Sequence, residues 1–186
     1  MRKVILDLAV TLDGYIEGPY GEVDWCILDD DMDFQGFLAG IDTILYGRVS
    51  YEMWGNFEPE ANASETEKAI WAAVHSKKKI VYSSQERPNT EVVFISDGIP
   101  EKIAELKKQK GKDIWLYGGA KLITTFVQHG LIDIYRISVH PTVLGAGKPL
   151  FTNLKERINL NLLEVNRYRS GVVQLIYEHN CERGAD

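Results

Sequence analysis

Asp113-Ile-Trp-Leu-Tyr-Gly-Gly-Ala-Lys-Leu-Ile123 is the stretch whose reading decides the fold. Ile114 to Tyr117 is a short apolar run between polar neighbours, the pattern of a strand covered on both faces. Gly118 and Gly119 then permit a tight turn and the close approach of another backbone or a phosphate. A helix is predicted from Ala120, and its first turn offers free N–H groups and the positive end of its dipole to an anion. Glycine also serves shape alone in many α/β turns, so this stretch by itself carries two readings, a nucleotide site and a plain turn.

Working outward, Pro100 sits at a first helical position, and the helix it opens runs to Lys110 before Gly111. On the other side the helix from Ala120 ends at Gly130. Ile132 to Val143 alternates as a long strand, which Pro141 puts at an edge or a bend. The same strand–glycine–helix unit recurs earlier: Asp42 to Gly47 reads as a strand and Arg48 to Trp54 as a helix. Arg48 at a helix start opposes the dipole unless an anion is near, which leaves a phosphate or a structural carboxylate as its partner. Ser64-Glu-Thr-Glu67 is a capping box opening a helix to Val74. Lys79 to Tyr82 is a strand ending in Ser83-Ser84 with Arg87 nearby, and Glu91 to Ser96 is another.

At the amino end, Lys3 to Val10 is a strand interrupted by Asp7. A carboxylate there is costly unless it is paired or faces a cleft, and a partnered or edge-facing aspartate is favoured over a pocket role. Thr11 to Gly18 follows as an irregular loop past the strand's carboxyl end, where open α/β sheets hold ligands. Asp29-Asp30-Asp31 leads into a helix to Gly40, with Phe34, Phe37, Leu38 and Ile41 on its buried face. Capping accounts for most of these acids, while Asp30 and Asp33 stand nearest the apolar face, where one could look into a pocket. At the carboxyl end, Leu144 to Phe151 is a glycine-rich loop. Leu160 to Tyr168 and Val172 to Glu178 form a hairpin about Ser170-Gly171. The order of elements gives an α/β domain over residues 1–180, with a mostly parallel central sheet and a C-terminal antiparallel hairpin. Residues 181–186 are expected to be a disordered tail.

A chain of 186 residues forms one domain with a substantial core, and 45% hydrophobic with 26% charged residues is ordinary for a globular protein. A net charge of −6 argues against general nucleic-acid binding but leaves room for an anionic cofactor held by local arginines and helix ends. No apolar run is long enough to span a bilayer and no signal-peptide pattern begins at Met1, so no membrane partner and a cytoplasmic setting are expected. Cys26 and Cys181 make no disulfide framework. The four histidines have no metal-ligand spacing, so no metal is expected. Trp25, Trp54, Trp71 and Trp115 are expected in the core.

Leu12-Asp-Gly-Tyr-Ile16, Tyr46-Gly-Arg-Val-Ser-Tyr-Glu52, Tyr117-Gly-Gly-Ala-Lys-Leu122 and Val139-His-Pro-Thr-Val-Leu-Gly-Ala-Gly-Lys-Pro-Leu-Phe151 occur in this order. Together they resemble the dihydrofolate-reductase-like superfamily and, within it, the RibD C-terminal branch that includes the pyrimidine reductase of riboflavin biosynthesis. The resemblance spans Lys3 to about Tyr177. It implies a three-layer fold and NADPH-dependent hydride transfer to a pyrimidine- or pteridine-type heterocycle by a homodimer. It also implies a cofactor site. Gly47, Arg48, Val49 and Ser50 would meet the phosphates, and Ser83 and Ser84 the adenosine 2′-phosphate. Tyr117, Gly118, Gly119, Ala120, Lys121 and Leu122 would take the pyrophosphate and nicotinamide side, with Ala9 and Ile16 beside the nicotinamide. Folate reductases carry an acid four residues before an aromatic on the helix after the first loop. Asp33 with Phe37 and Asp30 with Phe34 both fit that spacing, which makes these aspartates the catalytic candidates. No zinc deaminase region precedes the first strand, so a stand-alone reductase is expected rather than a bifunctional enzyme. True folate reduction and a nucleotide-binding dimer module without turnover are the alternatives.

Overall fold

The computed structural model describes residues 1–83 and 92–180, the Asp30 side chain excepted. The expected phosphate residue Ser84, its neighbour Arg87 and the tail 181–186 lie outside the described residues. Strands and helices alternate as β1 (Val4–Thr11), β2 (Tyr15–Glu17), α1 (Phe34–Ala39), β3 (Ile41–Gly47), α2 (Arg48–Ser50), α3 (Glu65–His75), β4 (Lys78–Tyr82), β5 (Val93–Ile95) and α4 (Ile99–Lys108). There follow β6 (Asp113–Gly118), α5 (Ala120–Gln128), β7 (Ile134–His140), β8 (Lys148–Pro149), β9 (Leu160–Arg167) and β10 (Val173–His179).

Eight strands form one sheet in the order β5-β4-β3-β6-β1-β7-β10-β9. The run from β5 to β7 is parallel, and β10 and β9 close the sheet as an antiparallel hairpin. Alternation along each strand divides the side chains between two layers. Val4, Leu6 and Val10 pack with Ile103 and Leu106 of α4 and Phe126 and Val127 of α5. Ile44, Tyr46, Val81 and Trp115 pack on the opposite face with Leu38 of α1 and Ile70 and Val74 of α3. The three-layer, mostly parallel architecture is the expected one.

Pro141 stands at the bend that ends β7, as expected; β7 itself lies between β1 and β10, and the missing N–H falls just past the ladder. Two expectations change in detail. The helix after β3 is a single α-turn that widens into a π-turn over Tyr51–Gly55. The loop after β1 is partly ordered: β2 pairs with β8, so the glycine-rich segment 144–149 is strapped to it.

Candidate active site

The site arises where the sheet parts. β1 pairs with β6 through Val4–Ile114, Ile5–Trp115 and Leu6–Leu116, and then with β7 alone as far as Thr11–His140. On the other side of the gap, Leu45 pairs with Leu116 and Tyr46 with Gly118, so Tyr117 is an extra residue bulged out of β6. Such bulges re-aim side chains. A cleft of about 620 Å³ opens along this gap at the carboxyl ends of the strands.

Its floor is one face of β1, β7 and β10. Asp7 is paired with Arg136, Ala9 with Ser138 and Thr11 with His140, and Ser138 pairs onward with Gln174. Burial lifts the Asp7 carboxyl to a pKa of about 6, against the lowering pull of the Arg136 guanidinium. Arg136 Nη1 stands 3.7 Å from Asp7 Oδ2, so Asp7 is both paired and cleft-lining. His140 is buried and its Nδ1 accepts a hydrogen bond from Ile27 N at 3.2 Å, which anchors the segment before α1 over the cleft. Burial holds the His140 pKa below its ordinary value, opposed by Asp29.

The walls are aromatic. All four tryptophans border the cleft, together with Phe34 and Tyr117, and Trp115 and Trp71 also pack in the core as expected. Trp115 does both: it packs edge-on against Phe34 and donates from Nε1 to Asp7 O at 2.9 Å. Trp54 stacks 6.2 Å from Trp71, carried there by the π-turn after α2. Trp25 Nε1 is buried without a partner among the described residues, and its ring meets His140 at 5.3 Å.

The opposite wall is glycine. A Cβ on Gly47 would lie 3.3 Å from Gly118 O and 3.7 Å from Gly119 Cα. Gly119 holds φ +95°, and a Cβ there would meet Ser50 Oγ at 3.3 Å. The two strand–helix turns therefore pack closely, and a side chain at Gly47 or Gly119 would press on its neighbours.

Of the residues implied for a cofactor, Ala9, Ile16, Ser50, Tyr117, Gly118 and Gly119 line the cleft. Gly47 lies behind them against Gly118 and Gly119. Ala120, Lys121 and Leu122 form the first turn of α5. Arg48 donates to Glu52 Oε2 at 2.7 Å, which is the carboxylate alternative for its partner, and Val49 is exposed. Ser83 follows β4, and its N–H donates to Ile95 O. Asp33 is exposed and its carboxylate accepts from Gly36 N at 3.1 Å, capping α1 away from the cleft lining. The Asp30 side chain is outside the described residues.

Arg136, Ser138, Gln174 and His140 were missed as site residues. For the three on β7 the signal is the polar alternation Arg136-Ile-Ser138-Val-His140 in a strand otherwise fit for burial, which marks one face as lining a polar cleft. Among the described residues, no helix is long and apolar enough to cross a membrane, and no group of three or more His, Cys, Asp or Glu could hold a metal ion.

The model of the RibD C-terminal domain family matches residues 2–174. The Bacillus subtilis (strain 168) protein YyaP, itself uncharacterized, is 57% identical over 180 residues, covering 96% of both chains. A Shewanella sp. PV-4 protein provisionally assigned to riboflavin biosynthesis is 25% identical. Its crystal structure superposes with a TM-score of 0.76 over 97% of this chain and 99% of the other. Dihydrofolate reductase from Enterococcus faecalis, complexed with NADP(H) and RAB-propyl, has a TM-score of 0.64 at 16% identity, covering 96% of each chain, and so shares the fold.

Proposed function

The chain belongs to the RibD C-terminal domain family, and from that premise we propose that it is an NADPH-dependent reductase acting on a pyrimidine- or pteridine-type heterocycle. The observation that carries the reading is the two-sided cleft, with a glycine junction on one wall and an aromatic, polar floor on the other. A dinucleotide needs close backbone approach at its pyrophosphate. Gly47, Gly118 and Gly119 offer it, and the first turn of α5 adds free N–H groups from Ala120, Lys121 and Leu122. In this reading Ala9, Ile16 and Tyr117 flank the nicotinamide, while Arg48, Val49, Ser50, Ser83 and Ser84 serve the phosphates and the adenosine side. NADPH, when bound, supplies the hydride. The chain's own residues orient the two rings, keep water from the gap and set the substrate edge. The working unit is a cytoplasmic homodimer, for which β9 exposes Leu162, Leu163 and Val165.

Asp33 serves in this reading as a helix cap, because its carboxylate is engaged by Gly36 N. Asp33→Asn therefore leaves turnover intact, whereas true folate reduction through Asp33 would lose it.

The test is a titration with NADPH and with NADH followed by tryptophan fluorescence, since four tryptophans border the cleft. NADPH is expected to quench the emission and to bind more tightly than NADH. Gly119→Val, which puts side-chain atoms against Ser50, is expected to weaken NADPH at least tenfold, about 1.4 kcal/mol, with its far-ultraviolet circular dichroism unchanged. Binding of neither nucleotide by the wild type overturns the reading.

A further inference from the structure

Asp7 is only 7% exposed, yet its carboxylate receives no hydrogen bond from any described residue. Its nearest cation, Arg136 Nη1, stands 3.7 Å away, too far for the short charge-assisted contact such pairs form when the pairing is an end in itself. Everything around it is fixed. Arg136 donates from Nε to Gln174 Oε1 at 3.2 Å and lies 4.7 Å over the Phe37 ring. The Gln174 amide, 3% exposed, also donates from Nε2 to Ser138 Oγ at 3.1 Å. Since Ser138 Oγ accepts there, its own O–H remains to donate. The floor thus presents a fixed pattern to the cleft: an acceptor at Asp7, flanked by donors at Arg136 Nη1 and Ser138. Trp115, held on Asp7 O, supplies an aromatic face beside it.

A ligand complementary to that pattern carries an N–H next to a C=O. A carboxylate ligand offers acceptors alone and an amidinium donors alone, so neither satisfies the floor. We propose that Asp7, with Arg136 and Ser138, reads the N–H/C=O edge of a cyclic amide, a lactam or imide, laid flat in the aromatic cleft. In this proposal strand β1 bears the specificity-determining carboxylate. That this ligand is the reduced substrate rests on the reductase reading; the recognition itself does not.

The probe is pteridine-2,4-dione, compared with its 1,3-dimethyl derivative, which keeps the ring and both carbonyls but has no N–H. Binding to wild type and to Asp7→Asn is followed by tryptophan quenching, and NADPH is titrated into each. The wild type is expected to bind the dione at least tenfold more tightly than the dimethyl derivative. Asp7→Asn is expected to lose tenfold or more toward the dione, with its affinities for the dimethyl derivative and NADPH unchanged. Equal affinity of the wild type for both probes, no binding of the dione, or an unchanged dione affinity in Asp7→Asn overturns the proposal. NADPH binding without this discrimination leaves the reductase reading standing and removes the edge recognition. Discrimination without NADPH binding does the reverse.

Discussion

Asp7 keeps its proton to a higher pH in the folded chain than in the unfolded one, because burial lifts its pKa from an ordinary 3.8 to about 6. The folded state therefore binds more protons than the unfolded state between these values. Stability from this group is full below about pH 4 and is lost as pH rises through about 6. The difference amounts to roughly 3 kcal/mol. Denaturant titrations at pH 4 and pH 7.5 are expected to show the wild type losing about that much relative to Asp7→Asn; parallel pH profiles would mean that the ionised carboxylate is not desolvated. From the sequence Asp7 was visible as an anomaly, a carboxylate in an apolar strand. Its partner was not, because Arg136 comes from a strand that only the assembled sheet brings beside it, held there by Gln174 one strand further on. Gly47 and Gly118-Gly119 were each legible as strand-end glycines. That they press against one another is a tertiary fact with no local signature. Asp33 fits both a functional spacing and an N-cap in the sequence, and in the fold its carboxylate accepts from Gly36 N.

Elements with strong local chemistry followed their sequence closely. Ser64 caps α3, with Ser64 Oγ accepting from Glu67 N at 3.1 Å. The Ser170-Gly171 turn joins the closing hairpin, with Tyr168 and Val172 bonded across it. The ribbon of β2 and β8 was not legible, because two- and three-residue strands carry no periodicity to read. Beside the backbone pairing and the Lys148–Glu17 ion pair, Asp13 ties the two segments together. Its side chain accepts from Thr11 Oγ1 at 2.7 Å and from Leu144 N and Gly145 N at 3.1 Å and 2.7 Å. The Thr11 hydroxyl first, then these amides, keep the Asp13 pKa below its ordinary value. Asp13→Ala is expected to raise amide exchange at Leu144 and Gly145 at least tenfold while the protection of β6 is unchanged. Equal exchange in the two proteins would show that the ribbon is held without Asp13.

At the scale of the molecule, β9 is an edge strand with Leu162, Leu163 and Val165 between 47% and 55% exposed, a surface that favours a second chain. Size-exclusion chromatography with light scattering is expected to give twice the chain mass for the wild type and the single-chain mass for Leu163→Lys combined with Val165→Lys. A dimer that survives both charges is built on another face. The alternation of strands and helices predicted the layers and the parallel sheet, but not the strand order, which depends on how crossovers place β1 between β6 and β7. That placement has a mechanical result. The half-sheet β5-β4-β3-β6 and the half-sheet β1-β7-β10-β9 meet along three residue pairs, Val4 to Leu6 against Ile114 to Leu116. The cleft walls stand on both halves, Tyr117 and Gly118 of β6 on one side and Asp7 and Ala9 of β1 on the other, so a ligand in the gap touches both. Such a ligand ties the halves together across the seam. Its occupancy is expected to slow deuterium uptake at the seam amides, which it never touches.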